Sequence, residues 1–63
     1  MLELMIEEWK TPDGSASYLW SLWNEGRRVG MGRGASSAAA AEAEGEAACR
    51  RAAGRAPDRI TRL

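Results

Sequence analysis

The sequence contains no histidine and a single cysteine, and these two shortages exclude most common catalytic and metal chemistries. Without histidine, the serine, threonine and cysteine side chains lack the usual general base for nucleophilic catalysis. Cys49 cannot form an intrachain disulfide, and alone it cannot build a zinc site. We therefore expect a protein that is not an enzyme, that holds no metal and no cofactor, and in which Cys49 is a buried structural thiol.

The sequence also lacks long apolar runs and an excess of basic or acidic residues. No segment approaches the roughly 20 apolar residues that span a bilayer, and the acidic start MLELMIEEWK is unlike a signal peptide, which begins with basic residues. A lone cysteine is typical of a reducing compartment, so we expect a cytoplasmic protein without membrane contact. Nine basic residues balance nine acidic ones, whereas dedicated nucleic-acid-binding proteins are usually basic.

With 63 residues, the chain is short for a domain that folds unaided. A single core of this size rarely supplies more than about 3–5 kcal/mol of stability. Small domains usually add disulfides, a metal or a partner subunit. The cysteine and histidine counts exclude the first two, which leaves self-association open.

The N-terminal segment alternates as a strand does. Leu2, Leu4 and Ile6 would share one side of the strand, and Met5 and Trp9 the other. Helix is the alternative, because leucine, glutamate and methionine are good helix formers. A proline-aspartate-glycine turn follows the segment, since proline presets φ and glycine accepts positive φ.

The next segment, YLWSLWNEGRRVGM, predicts a hairpin whose loop is Glu25-Gly26. In that register, one sheet face carries Tyr18, Trp20, Leu22, Val29 and Met31. The opposite face carries Leu19, Ser21, Trp23, Arg28, Gly30 and Gly32. On that face we expect the Trp23 indole to cover the two glycines.

An alanine-rich helix is predicted after the hairpin. Ser36 or Ser37 is a good N-cap, AAAAEAEGEAACRRAA has high helix propensity, and Gly54 and Pro57 mark its end. One arc of this helix carries only small residues, which suit close packing on a sheet: Ala38, Ala41, Gly45, Ala48, Cys49, Ala52 and Ala56. We expect one domain over 1–56, with 57–63 as a short flexible tail.

The stretch GMGRGASS, over 30–37, also admits a phosphate-binding interpretation. Its spacing does not match G-x-G-x-x-G, because position 35 is alanine, and it does not match the P-loop, because no lysine follows these glycines. A weaker version has Arg33 and free amides at the helix N-terminus holding an anion. The simpler interpretation is a strand that ends, a chain reversal at Gly34 and a serine cap.

The predicted fold class is α+β, a three-stranded antiparallel meander (β-β-β-α) with one C-terminal helix packed on one sheet face. Over 18–53 the chain resembles the small three-stranded-sheet-plus-helix domains of AP2 factors and of phage-integrase N-termini, and the resemblance rests on the segment YLWSLWNEGRRVGMGRGASSAAAAEA. The resemblance implies that the open sheet face reads the DNA major groove. It implies Trp23 and Arg28 as reading positions, with Arg27 and Arg33 as candidate phosphate contacts.

The sheet face away from the helix is the predicted interaction surface, because one helix cannot cover both faces. Its candidate residues are Met5, Trp9, Leu19, Trp23 and Arg28. Contiguous exposed apolar residues mark interaction sites, although Trp9 and Trp23 could instead only cover the glycines and each other. The first hypothesis is a small interaction module that binds itself, as a homodimer, or another protein. The second is a nucleic-acid-binding module that uses the same face and its arginines.

Overall fold

The computed structural model describes all 63 residues and shows a four-stranded sheet with one helix. In chain order the elements are β1 (Leu2–Lys10), β2 (Ala16–Asn24), β3 (Arg27–Ala35), α1 (Ala38–Ala53) and β4 (Arg59–Arg62). The strands lie in the order β3-β2-β1-β4. The β1–β2 and β2–β3 pairs are antiparallel, and β4 runs parallel to β1. The predicted α+β class is confirmed, but the predicted sheet was one strand short.

The core lies between α1 and one face of β1 and β2. Leu4 pairs with Leu22 and Ile6 with Trp20 in the antiparallel register, and all four side chains are buried. Because side chains alternate along a strand, these positions point to the same face. The predicted division of β1 and β2 into two faces is therefore confirmed. The turn between β2 and β3 falls at Glu25-Gly26 as expected, and both residues have positive φ.

The predicted register of β3 is wrong. Leu22 pairs with Gly30 rather than Val29, and Trp20 pairs with Gly32 rather than Met31. The cause is a register shift between Leu22 and Trp23, where β3 contains one extra residue. An extra residue in one strand moves every following side chain to the other face.

Two consequences follow from this bulge. Gly30 and Gly32 lie under Trp20 on the helix side, so Trp20 and not Trp23 covers the glycines. Met31 lies on the other side of the sheet, and the side chain of Val29 is 54% exposed.

Helix α1 is capped at both ends as its sequence predicts. The Ser37 side chain accepts a hydrogen bond from the Ala40 amide at 3.0 Å, and Gly54 ends the helix in the left-handed conformation. Gly45 is buried against Leu4, and a Cβ at Gly45 would overlap a δ-carbon of Leu4. The helix therefore lies close to β1. Of the predicted small face, Ala41, Gly45 and Cys49 are buried and Ala38 and Ala48 partly so, whereas Ala52 and Ala56 are exposed.

Residues 57–63, expected to be a flexible tail, include β4. Since β3 and β4 lie at opposite edges of the sheet, α1 carries the chain across its face. Asp58 holds the chain beside β1 just before β4 begins. Its backbone amide donates to the Leu2 carbonyl at 2.8 Å, and its carboxylate accepts from the Leu2 amide at 2.7 Å. At the far end, Arg62 donates to Glu42 of α1 at 3.0 Å.

Candidate functional site

The face of the sheet opposite α1 is here called the open face. Strand alternation and the bulge in β3 together determine which side chains it presents. They are Glu3, Met5, Glu7 and Trp9 of β1, Ser17, Leu19, Ser21 and Trp23 of β2, Arg28, Met31 and Arg33 of β3, and Arg59 and Thr61 of β4.

The apolar side chains of the open face form one group across the three long strands. Trp9 is 58% exposed and Met31 is 48% exposed, while Met5, Leu19 and Trp23 are half-buried. Trp9, Leu19, Trp23 and Met31 line one depression, and Trp9 and Leu19 also line a neighbouring groove with Arg33. The tryptophans are therefore not isolated on the surface but belong to one continuous apolar area.

Polar contacts hold parts of the open face in place. The Trp23 indole N–H donates to the Ser21 hydroxyl at 2.9 Å, which orients the ring along β2. Glu3 accepts from the Arg59 guanidinium at 2.6 Å and from the Thr61 hydroxyl at 3.3 Å. Glu3 is thus neutralised by β4, within its own chain.

Three charged side chains of the open face form no ion pair: Glu7, Arg28 and Arg33. Glu7 lies on β1, and both arginines lie on β3. The open face is therefore acidic along β1 and basic along β3, with the apolar group between them.

The structure brings together six of the seven residues predicted for this surface: Met5, Trp9, Leu19, Trp23, Arg28 and Arg33. Arg27, the other candidate phosphate contact, pairs with Asn24 beside the turn, at the opposite end of β3 from Arg33. Met31 was missed, because a sequence period of two without a bulge places it on the helix side. The glycine pair around Met31 was the available signal, since a Cβ at Gly32 would overlap the Trp20 ring.

The titratable groups with displaced pKa values lie away from the open face. The Arg55 guanidinium and the Leu2 amide lower the pKa of Asp58 to about 2, and Asp58 in turn raises the pKa of Arg55. In the β1–β2 turn, hydrogen bonds from the Thr11 hydroxyl and the Ser15 amide lower the pKa of Asp13. These contacts stabilise turns and the β4 junction.

The structure buries the one cysteine of the chain. Cys49 is 0% exposed between α1 and the sheet. No group of three or more cysteine, aspartate or glutamate side chains is arranged to hold a metal ion. The one helix, α1, is not long and apolar enough to span a membrane.

Protein-family models, curated proteins and solved structures were each compared with the chain, and none matches it. The resemblance to AP2 and phage-integrase domains rests on the β-β-β-α pattern. The parallel strand β4 is an addition to that pattern.

Proposed function

We propose that this protein is a small, non-enzymatic, cytoplasmic interaction module that self-associates through its open face. One observation carries the proposal: α1 covers one side of the sheet, and no part of the chain covers the other. The uncovered side presents a continuous apolar group, in which Trp9 is 58% exposed. Contiguous apolar patches of this kind mark interaction sites on small proteins.

The size of the open face supports a second copy as the partner. With strands about 4.8 Å apart and a rise of about 3.3 Å per residue, the sheet covers about 500 Å². Two such faces would bury about 1,000 Å² in total, which is the lower limit for a specific interface. The area is thus adequate for a homodimer, and the dimer would add the burial that a core of this size lacks.

Nucleic-acid binding is the second candidate function, and one observation favours it. Arg27, Arg28 and Arg33 of β3 form no ion pair, and Trp9 and Trp23 offer flat surfaces for base stacking. Glu7 lies on the same face without an ion-pair partner in the chain and would repel a phosphate backbone. Self-association would bring the acidic side chains of β1 against the basic side chains of β3 in a second copy, so we favour it.

Analytical ultracentrifugation across a micromolar to millimolar series tests the proposal. We expect the wild type to shift from monomer to dimer, and Trp9→Ser to stay monomeric at concentrations where the wild type is dimeric. Ile60→Ser is the matched control, because Ile60 is an exposed apolar residue whose partner in β1, Leu4, faces α1.

A wild type that remains monomeric at millimolar concentration would overturn the proposal. If that monomer bound a random DNA duplex or single strand with steep salt dependence, the second candidate would replace the first, since phosphate contacts weaken with salt.

A further inference from the structure

The open face is arranged in rows that run across β1, β2 and β3. The first row is Glu3, Trp23 and Arg28. The second is Met5, Ser21 and Met31. The third is Glu7 and Leu19, with Arg33 beside Leu19, where a second register shift lies between the pairs Tyr18–Ala35 and Trp20–Gly32. The first and third rows therefore each run from an acidic residue on β1 through an apolar residue on β2 to a basic residue on β3. They flank the second row, which has a methionine at each end.

This arrangement is complementary to itself under one particular two-fold rotation. An axis that runs parallel to β2, midway between two facing sheets, places β1 of one copy over β3 of the other. Residues keep their level along the strands in this rotation. Glu7 then faces Arg33 of the second copy, and Met5 faces Met31.

A two-fold axis that runs across the strands gives the opposite result. It places β1 over β1 and β3 over β3, and it exchanges the first and third rows. Glu3 would then oppose Glu7 of the second copy, and Arg28 would oppose Arg33. Like charges facing each other in an interface are unfavourable and select against such an arrangement.

We propose that two copies pack face to face about the axis parallel to β2, with reciprocal Glu7–Arg33 ion pairs on either side of a shared apolar centre. This inference rests on the proposed self-association and specifies its geometry. The rotation leaves the strands of the two sheets aligned, as in sheet-on-sheet packing, where sheets lie about 10 Å apart. Glutamate and arginine side chains together can cross that gap.

Glu7 and Arg33 are the informative pair because neither has a partner within its own chain. Glu3 already contacts Arg59, so reversing its charge would disturb β4 as well as the interface. A change at Glu7 or Arg33 leaves every intrachain ion pair in place. The effect of such a change on dimerisation therefore reports on the contact between copies.

A charge-reversal experiment tests the axis. Glu7→Arg and Arg33→Glu, each alone, should raise the dimer dissociation constant at least about tenfold, because each creates two like-charge contacts. When the two variants are mixed, the heterodimer restores both opposite-charge contacts and should form at least about tenfold more tightly than either homodimer. Native mass spectrometry of the mixture, with one chain isotope-labelled, measures the ratio directly.

Two further samples complete the design. The double variant Glu7→Arg/Arg33→Glu exchanges both charges in one chain and should recover the wild-type dissociation constant. Glu44→Arg and Arg51→Glu reverse exposed charges on α1, away from the open face, and should leave that constant unchanged.

The possible failures of the experiment are distinguishable. A dimeric wild type without heterodimer preference in the mixture would overturn the axis and leave the proposed function standing. Tighter self-association of Glu7→Arg alone would also overturn it, since only the axis across the strands places Glu3 over position 7. A wild type that never dimerises would overturn both.

Discussion

Trp20 and the glycines beneath it show how a single residue determines the packing of a strand. Its ring is 9% exposed and lies over Gly30 and Gly32 of β3. The indole N–H has no hydrogen-bond partner, so packing alone holds the ring. The two glycines differ in how much room the ring leaves. A Cβ at Gly32 would overlap the indole nitrogen, whereas one at Gly30 would lie 3.6 Å from the nearest ring atom.

This difference predicts opposite outcomes for two similar substitutions. Gly32→Ala should lower the free energy of unfolding by about 1–3 kcal/mol, because the enclosed ring must move. Gly30→Ala should be neutral or stabilising by about 0.4–1 kcal/mol, because alanine restricts the unfolded chain and its Cβ would meet the Trp20 ring only at an ordinary van der Waals distance. Urea denaturation of both variants measures the difference. Equal effects would mean that Trp20 does not lie over Gly32 as described.

At the level of the elements, β1, β2 and α1 were predictable because their information is local. Alternation places Leu4 and Leu22 on one face, Glu25-Gly26 suits a two-residue turn, and serine and glycine cap the helix. The bulge in β3 was not predictable in this way, since an extra residue at Val29 follows no sequence period. Because the prediction lacked this bulge, it placed Met31 on the helix side, although Met31 lies on the open face.

Strand β4 was missed for a different reason. Its sequence, RITR, is short and charged, and nothing local favours a strand. Its pairing depends on partners far along the chain: Asp58 contacts Leu2, and Arg59 contacts Glu3. These contacts join distant parts of the chain and require β1 to be in place. A pattern within a short segment of the sequence therefore does not indicate them.

The β4 junction predicts a pH effect on stability. Folding lowers the pKa of Asp58 from 3.8 to about 2, first through its hydrogen bond with Arg55. Both folded and unfolded chains carry the ionised carboxylate above about pH 5, so the stabilisation is complete there and is lost as the pH falls through about 2. Asp58→Asn should therefore lower the melting temperature near neutral pH by a few degrees at most, since exposed ion pairs are weak.

The difference between wild type and Asp58→Asn should shrink as the pH falls through about 2 and disappear below it, where both side chains are neutral. Asparagine retains an oxygen that can accept from the Leu2 amide, so the comparison isolates the charge. Glu44→Gln, at an exposed helix position, is the control and should show no comparable pH-dependent difference. If the melting temperature of Asp58→Asn stayed below that of the wild type by the same amount at low pH, the carboxylate charge would contribute nothing to the stability of this junction.

For the whole molecule, charge is balanced in number but not in position. Nine basic and nine acidic residues sum to zero, and that sum argued against a dedicated nucleic-acid binder without identifying any partner. The spatial distribution is more informative: the open face is acidic along β1 and basic along β3. A neutral chain with separated charges suits binding to its own copy. Composition alone does not reveal this, because the separation arises from strand order and register.

Self-association through the open face predicts that thermal stability depends on protein concentration. Each tenfold rise in concentration favours a dimer by about 1.4 kcal/mol, or about 0.7 kcal/mol per chain. For a domain of this size, this corresponds to a rise in melting temperature of about 3–6 °C per tenfold. Trp9→Ser should abolish the dependence while leaving the melting temperature of the dilute protein nearly unchanged, because Trp9 is 58% exposed in the single chain. Scanning calorimetry at three concentrations measures both quantities. A melting temperature that stays constant for the wild type would show that folding does not draw on a second copy.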